Sequence, residues 1–464
     1  MRKLFSALFF LFAANFASAD FLDLNGYVDM VLKDNADIQA LEANIHSING
    51  KLSAIERTYS YYLSAGTSYL NDRSGRNYNK LSSLGYDVSL SKQFETGTQM
   101  SVGFNGSYNE VDYLAGGGKK NHDLAPYVRL QQSLMQNYDG GATKAGLAKA
   151  RADAQSALYL LQYQKQSIIF QAKIAYWNLS YARTVIDFKK TSLGRSQKIL
   201  DWNERRYKLD LAERTDMLQS QAAVKMGELN LKLAYENEIK ARRAFNLLLN
   251  VDGANVNYEI EKFTATALPY KQSKTLDKYG TRADVLSALE KVKSAQFDQE
   301  SQSKTSGADL ILSGQFALNG VDYPFGDASV DVVSASKPSY SLGVRYLMPL
   351  DFKIQETVNK GYEAAILAAQ KSAQSASISE NNQWLQLVDN WNNAKARLDL
   401  SMEIRTVQQQ RHDEEQSLLK KGRSTTYMVI QSEQALDDAE LGVLQNIFEL
   451  ISIYEQAEAF YNNK

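Results

Sequence analysis

The chain has 464 residues, no cysteine and five prolines, and its 52 Lys and Arg nearly balance 53 Asp and Glu for a net charge of −1. Without cysteine there is no disulfide, no thiolate metal site and no residue for a lipoprotein-type lipid anchor. With no excess of positive charge there is no global field for nucleic acid, and no such partner is expected.

At the N-terminus, Arg2 and Lys3 precede the apolar run "LFSALFFLFAANFA" and the small residues Ala17–Ala19. This is the pattern of a signal peptide over residues 1–19, with Asp20 as the first mature residue. The run is shorter than the roughly 20 apolar residues that a spanning helix needs.

A helix is expected over 25–57, followed by a strand over 59–70. Next comes a hairpin at about 84–109, carried by "YDVSLSKQFETGTQMSVGFNGSY". Within it Met100, Val102, Phe104 and Tyr108 fall on one side of a two-residue repeat. Ser101, Gly103, Asn105 and Ser107 fall on the other. "ETG" reads as a tight turn, and the flanking "NDRSGRNYNK" and "NEVDYLAGGGKKNHD" read as long polar loops. A strand over 124–135 leads into helical sequence over 138–250, broken near "LDLAERTD", 209–216. Residues 251–280 read as a connector.

The second half runs the same course, with a helix over 281–305 and strands over 309–318 and 339–350. Tyr340, Leu342, Val344 and Tyr346 alternate there with Ser341, Gly343 and Arg345. Helical sequence over 354–462 is broken near "KKGRSTT", 420–426, where Gly422 is the natural C-terminal stop. "WNLSYAR" at 177–183 reappears as "WNNAKAR" at 391–397, and "LQSQAAVKMGEL" at 218–229 answers "IQSEQALDDAEL" at 430–441. The order and near-constant spacing of such matches define two structural repeats, 20–250 and 281–464, of which the first carries the extra hairpin.

In a soluble protein the oily strand faces would meet in a sandwich core, whereas in a membrane barrel they would face lipid. A tight turn at one end and long loops at the other fit a barrel. Six strands are fewer than the roughly eight at which closed barrels begin, so a spanning chain must oligomerise. No catalytic set assembles from His46, His122 and His412, and neither a cofactor nor a metal is expected. "RHDEE", 411–415, reads as a solvated helix face, and "GGGKK", 116–120, lacks the P-loop spacing. Trp177 and Trp391, at equivalent repeat positions, read as core anchors.

The linear order of these features resembles the TolC-like outer-membrane efflux family. It is carried by "LNGYVDMVLKDNADIQALEANI", "SLGVRYLMPLDFKIQETVNKGYEAA" and "GRSTTYMVIQSEQALDDAE". The resemblance implies a mixed α and β membrane protein, a trimeric outer-membrane β-barrel continued by a long periplasmic α-helical barrel. It implies the exit duct of a tripartite efflux pump or type I secretion system, passive and not an enzyme. Its partners would be two further copies, a periplasmic adaptor, an inner-membrane pump and outer-membrane lipid.

On that resemblance the two helical turns close the periplasmic entrance. Thr215 and Asp216 map onto the closing network of the first turn. Met428 and Gln431 occupy the places where the best-known member carries paired aspartates, so no acidic ring is expected from them. The lipid-facing candidates are Met100, Val102, Phe104, Tyr108, Tyr340, Leu342, Val344 and Tyr346. If the extra hairpin joins the wall, a trimer has eighteen strands, and if it stands clear as a loop extension, twelve. The alternative function is a periplasmic structural coiled coil or adaptor with a soluble β-domain.

Overall fold

The computed structural model describes residues 21–75, 78–264, 276 and 280–461. Residues 1–19, expected to form a signal peptide, Asp20, and residues 265–275 and 277–279 of the expected connector lie outside the described residues. The chain forms two units, each assembled from separated segments.

One unit comprises the chain up to Ala43, Gln162–Arg282 and the chain from Ser379 onward. It contains β1 (Phe21–Leu22), α1 (Leu24–Asp34) and the first turns of α2 (Ala36–Glu56). The later parts of α3 (Gly141–Lys208) and α7 (Phe352–Lys420) are joined there by α4 (Arg214–Leu248), β6 (Glu259–Ile260) and α8 (Thr426–Tyr461). β1 and β6 pair in parallel.

The single helix expected over 25–57 is interrupted at Asn35. The Asn35 side-chain oxygen accepts from the N–H groups of Asp37 (2.9 Å) and Ile38 (3.1 Å), while its amide donates 2.9 Å to the Leu248 carbonyl. The interruption therefore satisfies the free N–H groups opening α2 and a free carbonyl closing α4 with one buried side chain.

Trp177 and Trp391 are no more than 2% exposed in the core of this unit. Tyr27 stacks on Phe245 at 4.0 Å and donates its hydroxyl to the Phe245 carbonyl at 2.9 Å. Tyr176 donates 2.9 Å to the Leu22 carbonyl and accepts from the Glu261 N–H at 3.1 Å, so one phenol pins both strands of the small sheet to α3 at their C-terminal ends. Burial pushes this phenol up to about 12, which keeps it a neutral donor. Each such buried aromatic contributes about 3 kcal/mol of transfer free energy.

The other unit comprises Asn44–Leu161 and Ala283–Ile378. Its sheet is built from β2 (Tyr61–Asp72), β3 (Tyr78–Gln93), β4 (Gln99–Tyr113), β5 (Gly118–Ser133), β7 (Asp309–Leu318) and β9 (Pro338–Leu347), antiparallel throughout in the order β2-β3-β4-β5-β7-β9. A short β8 (Gly320–Asp322) continues β7 along β5 past Asn319. A helix, α6 (Phe325–Ser334), then returns the chain to β9.

Beside the sheet, α5 (Ala283–Thr305) pairs with the start of α3. Each of Ser156 and Ser287 donates its hydroxyl to the other's carbonyl, at 2.9 and 2.8 Å. Lys149 pairs with Asp298 and Lys291 with Asp153 further along the same contact. Small residues here let the backbones approach, and Ala145 and Ala152 are buried in this unit.

Two expectations are corrected in this unit. The sequence reads as long loops between the oily strands, yet the strands run on through it, β2 to Asp72 and β3 from Tyr78, β4 to Tyr113 and β5 from Gly118. Asn109, Glu110 and Asp112 carry no apolar alternation, but each is held by a register partner on β3. The stretch after the first strand of the second repeat contains α6, which was not expected. Ala328 and Val332 pack on Gly320, where any side chain would collide with the Ala328 carbonyl.

Candidate functional site

Two features of the described residues stand out: the two-faced sheet of one unit and the paired helical turns of the other.

Register carries one row of side chains across all six long strands: Leu63, Leu90, Val102, Val128, Phe316 and Tyr340. The next row, one residue away, is Tyr62, Ser91, Ser101, Arg129, Gln315 and Ser341. Adjacent residues of a strand point to opposite faces, so the first row belongs to one face and the second to the other. The same parity places Met100, Val102, Phe104 and Tyr108 of β4 on one face with Tyr340, Leu342, Val344 and Tyr346 of β9. All eight residues predicted from the sequence thus share one surface.

That surface is open. The six side chains of the apolar row are between 37% and 83% exposed, a contiguous oily area on a chain whose other unit has a well-buried core. The opposite face is polar: Arg129 donates to the Gln315 side-chain oxygen at 2.8 and 3.0 Å, and Ser83 donates to the Asn109 side-chain oxygen at 2.6 Å. β2 pairs only with β3 and β9 only with β7, so each has a free edge among the described residues.

The turn between β3 and β4 is tight, closed by the Phe94 N–H to the Thr98 carbonyl at 2.8 Å, with Gly97 at φ +77°. α3 begins against this turn. Gly140, at φ +69°, lies where a Cβ would come within 1.6 Å of the Glu95 carbonyl oxygen. Only glycine provides both the left-handed backbone and the close approach.

The two helical turns share a hydrogen-bond pattern. At the end of α3 the Leu211 N–H reaches the Arg206 carbonyl and the Asp210 N–H the Tyr207 carbonyl, with Asp210 at φ +57°. At the end of α7 the Arg423 N–H reaches the Leu418 carbonyl and the Gly422 N–H the Leu419 carbonyl, with Gly422 at φ +73°. Both are Schellman caps, the second with the expected glycine and the first with an aspartate in its place.

A buried polar chain joins the turns. Asn203 of α3 donates its amide to the Ser220 hydroxyl of α4 at 2.6 Å, and Thr426 of α8 donates to the Asn203 side-chain oxygen at 3.2 Å. All three residues are at most 2% exposed.

Further along, Arg195 of α3 donates to Glu433, to Asp437 at 2.7 Å and to Glu440 at 3.5 Å, all on α8. His412 of α7 sits 2.9 Å from the Glu433 carboxylate through Nε2 and 3.1 Å from the Ser432 hydroxyl through Nδ1. Burial works against the charge of Glu433, but the hydrogen bonds from His412 and Arg195 outweigh it and hold the carboxyl below the usual range. Burial pushes the neighbouring Asp437 up, despite its hydrogen bond from Ser192.

Of the predicted turn residues, Thr215, Met428 and Gln431 are exposed and Asp216 is half-buried. The Asp216 carbonyl accepts from Ser220 at 2.9 Å, while its carboxylate makes no hydrogen bond or ion pair with the described residues. Sequence reading missed Asn203, Ser220 and Thr426. It also placed "RHDEE" on a solvated face. Asp413 and Glu414 are exposed there, but His412 turns inward and is 2% exposed, because the face it shares with Leu419 packs against α8.

No protein-family model and no curated protein matches the sequence. Among solved structures, the chain is similar to the transmembrane channel protein CusC, with a TM-score of 0.67 at 11% identity over 96% of this chain and 93% of that one. It is similar to the Neisseria gonorrhoeae MtrE outer-membrane channel, at 0.66 and 14% over 94% and 88%. It is also similar to the Vibrio cholerae outer-membrane protein VceC, at 0.60 and 16% over 94% and 93%. The chain has the fold of these outer-membrane channels, the TolC-like fold.

Proposed function

We propose that the protein is one subunit of a trimeric outer-membrane channel, a passive exit duct served by a periplasmic adaptor and an inner-membrane pump. The observation that carries the reading is the apolar row from Leu63 to Tyr340, exposed on one face of a sheet with two open edges. In water, such a face and such edges would aggregate. In a bilayer the face is solvated by lipid, and every edge must be paired.

Six antiparallel strands make the two edges complementary. β9 runs opposite to β2, so β9 of one copy meets β2 of the next antiparallel, and three copies make a wall of eighteen strands. The extra hairpin, β3 and β4, is paired on both sides within the sheet and enters this wall. Tyrosines mark its margins: Tyr61 and Tyr346 toward one end, and Tyr69 and Tyr108, in one register row through Leu84, toward the other. The polar face, with Arg129, Gln315 and Asp87, lines water.

The helical turns are the gate in this reading. Thr215, Asp216, Met428 and Gln431 are exposed or half-buried in the single chain and meet the other copies or the entrance. Because Met428 and Gln431 are uncharged, the entrance carries no acidic ring at those places.

Cross-linking in intact cell envelopes tests the proposal. It should trap a species of three chains in the outer-membrane fraction, and recovery solely as a soluble monomer would overturn the reading.

A further inference from the structure

The helix α6 lies on the apolar face of the sheet. β8 pairs Gly320 with Leu124 and Asp322 with His122, so those four side-chain positions share a face. Register carries Leu124 across Gly106 to Tyr86, and His122 across Tyr108 to Leu84, which identifies that face as the oily one. Ala328 and Val332 of α6 pack where the Gly320 side chain would be, and Phe325 sets its ring edge-on to His122 at 5.4 Å. Leu124 is only 2% exposed beneath the helix, whereas Val128 and Leu130 further along the same strand face are open.

Register also fixes the height of the helix. Phe325 starts it at the level of the Tyr108–His122 pair, and the chain rejoins the sheet at Pro338 beside Leu318, just before Tyr340 pairs with Phe316. α6 therefore spans the margin of the oily band nearest the 114–117 connection. Two residues beyond His122 on the same face, Lys120 and Glu110 form an ion pair at 3.2 Å, a polar boundary past the band. The helix sits on the oily side of that boundary.

Its outward side is apolar. Val333 is 86% exposed and Val330 64%, one turn apart on the side away from Ala328. Asp331 is tied back to Lys337, and Asp327 stands at the helix start, toward the polar boundary. The two valines stand on the outer side of the helix, above the oily face of β5 and β8.

We propose that α6 is an interfacial helix on the outer surface of the wall, with Val330 and Val333 set among the acyl chains of outer-leaflet lipid and Phe325 and Tyr323 at the headgroup boundary. The inference rests on the membrane-wall reading above. A short helix with an apolar outer side and a polar start, lying along a bilayer margin, is anchored by burial of that side in the acyl region. The lipid ties down the connection between β8 and β9, which no second strand covers.

The test uses the full-length protein in phosphatidylcholine vesicles with and without lipid carrying a chain-attached nitroxide. Single-cysteine variants Val333→Cys, Leu342→Cys and Asp327→Cys carry an environment-sensitive fluorophore. Val333→Cys and Leu342→Cys should both be quenched at least two-fold by the lipid nitroxide and little by aqueous iodide, with Asp327→Cys showing the reverse. Quenching of Leu342→Cys alone, with Val333→Cys open to iodide, would overturn the interfacial helix and leave the wall standing. Shielding of Val333→Cys from both quenchers would assign the helix to a protein contact and overturn the inference equally. Iodide quenching of both would remove the wall itself.

Discussion

The Thr426 hydroxyl donates to the Asn203 side-chain oxygen across 223 residues of sequence, and neither side chain is more than 2% exposed. Through Ser220 this contact fastens α8 to both α3 and α4 beside the two helical turns. Asn203→Ala leaves two buried hydroxyls without that amide, a loss of about 1–3 kcal/mol. The turns should loosen, so single-channel conductance in planar bilayers should rise relative to the parent. Unchanged conductance would make the contact purely structural.

Asp216 gives a contrasting expectation. Its carboxylate has no partner among the described residues of its own chain, so Asp216→Ala should leave the unfolding free energy within about 0.5 kcal/mol of the parent. If the carboxylate holds the entrance through another copy, conductance should still rise. A drop in stability with no change in conductance would contradict that role.

The Arg195, His412, Glu433 and Asp437 cluster sets a pH dependence. Glu433 titrates below its unfolded value, so its contribution is complete above the ordinary carboxylate range and is lost as pH falls through the folded value. Asp437 titrates above its unfolded value, so its ionised form costs stability near neutrality and that cost is relieved on mild acidification. Thermal stability should hold or rise slightly from neutral to weakly acidic pH and fall once pH drops below about 4.3, where free carboxylates protonate. Glu433→Gln removes the charge shared by Arg195 and His412 and should cost on the order of 3 kcal/mol at neutral pH, flattening the acid limb.

Gly140 is expected to tolerate no side chain. Gly140→Ala imposes a left-handed backbone on alanine and drives its Cβ into the Glu95 carbonyl, so the start of α3 must part from the β3–β4 turn. Yield of folded protein should fall several-fold, whereas Gly194→Ala, in the middle of α3 with open space around it, should express normally.

The strand parity was legible because Met100, Val102, Phe104 and Tyr108 alternate with small polar residues, and a two-residue period has one physical meaning. The continuation of the same strands to Tyr113 and Gly118 was not, because their outer ends have no oily face to alternate. Gly422 announced its turn, whereas Asp210 adopts the same conformation without glycine's signature. In α6, "FGDASVDVVS" is rich in poor helix formers, and the helix exists because Ala328 finds Gly320, a contact no local pattern records. The Asn203–Thr426 contact joins segments too far apart in sequence for any periodicity to relate them.

Alternate labelling along β4 addresses the membrane wall most directly, and the chain has no native cysteine to interfere. Single cysteines at each position from 99 to 108 are treated in intact envelopes with a lipid-soluble and a water-soluble thiol reagent. The account predicts that Met100, Val102 and Phe104 positions react with the lipid-soluble reagent and Ser101, Gly103 and Asn105 positions with the water-soluble one, a period of two. Uniform labelling by the water-soluble reagent would place the hairpin outside the bilayer and contradict an eighteen-stranded wall.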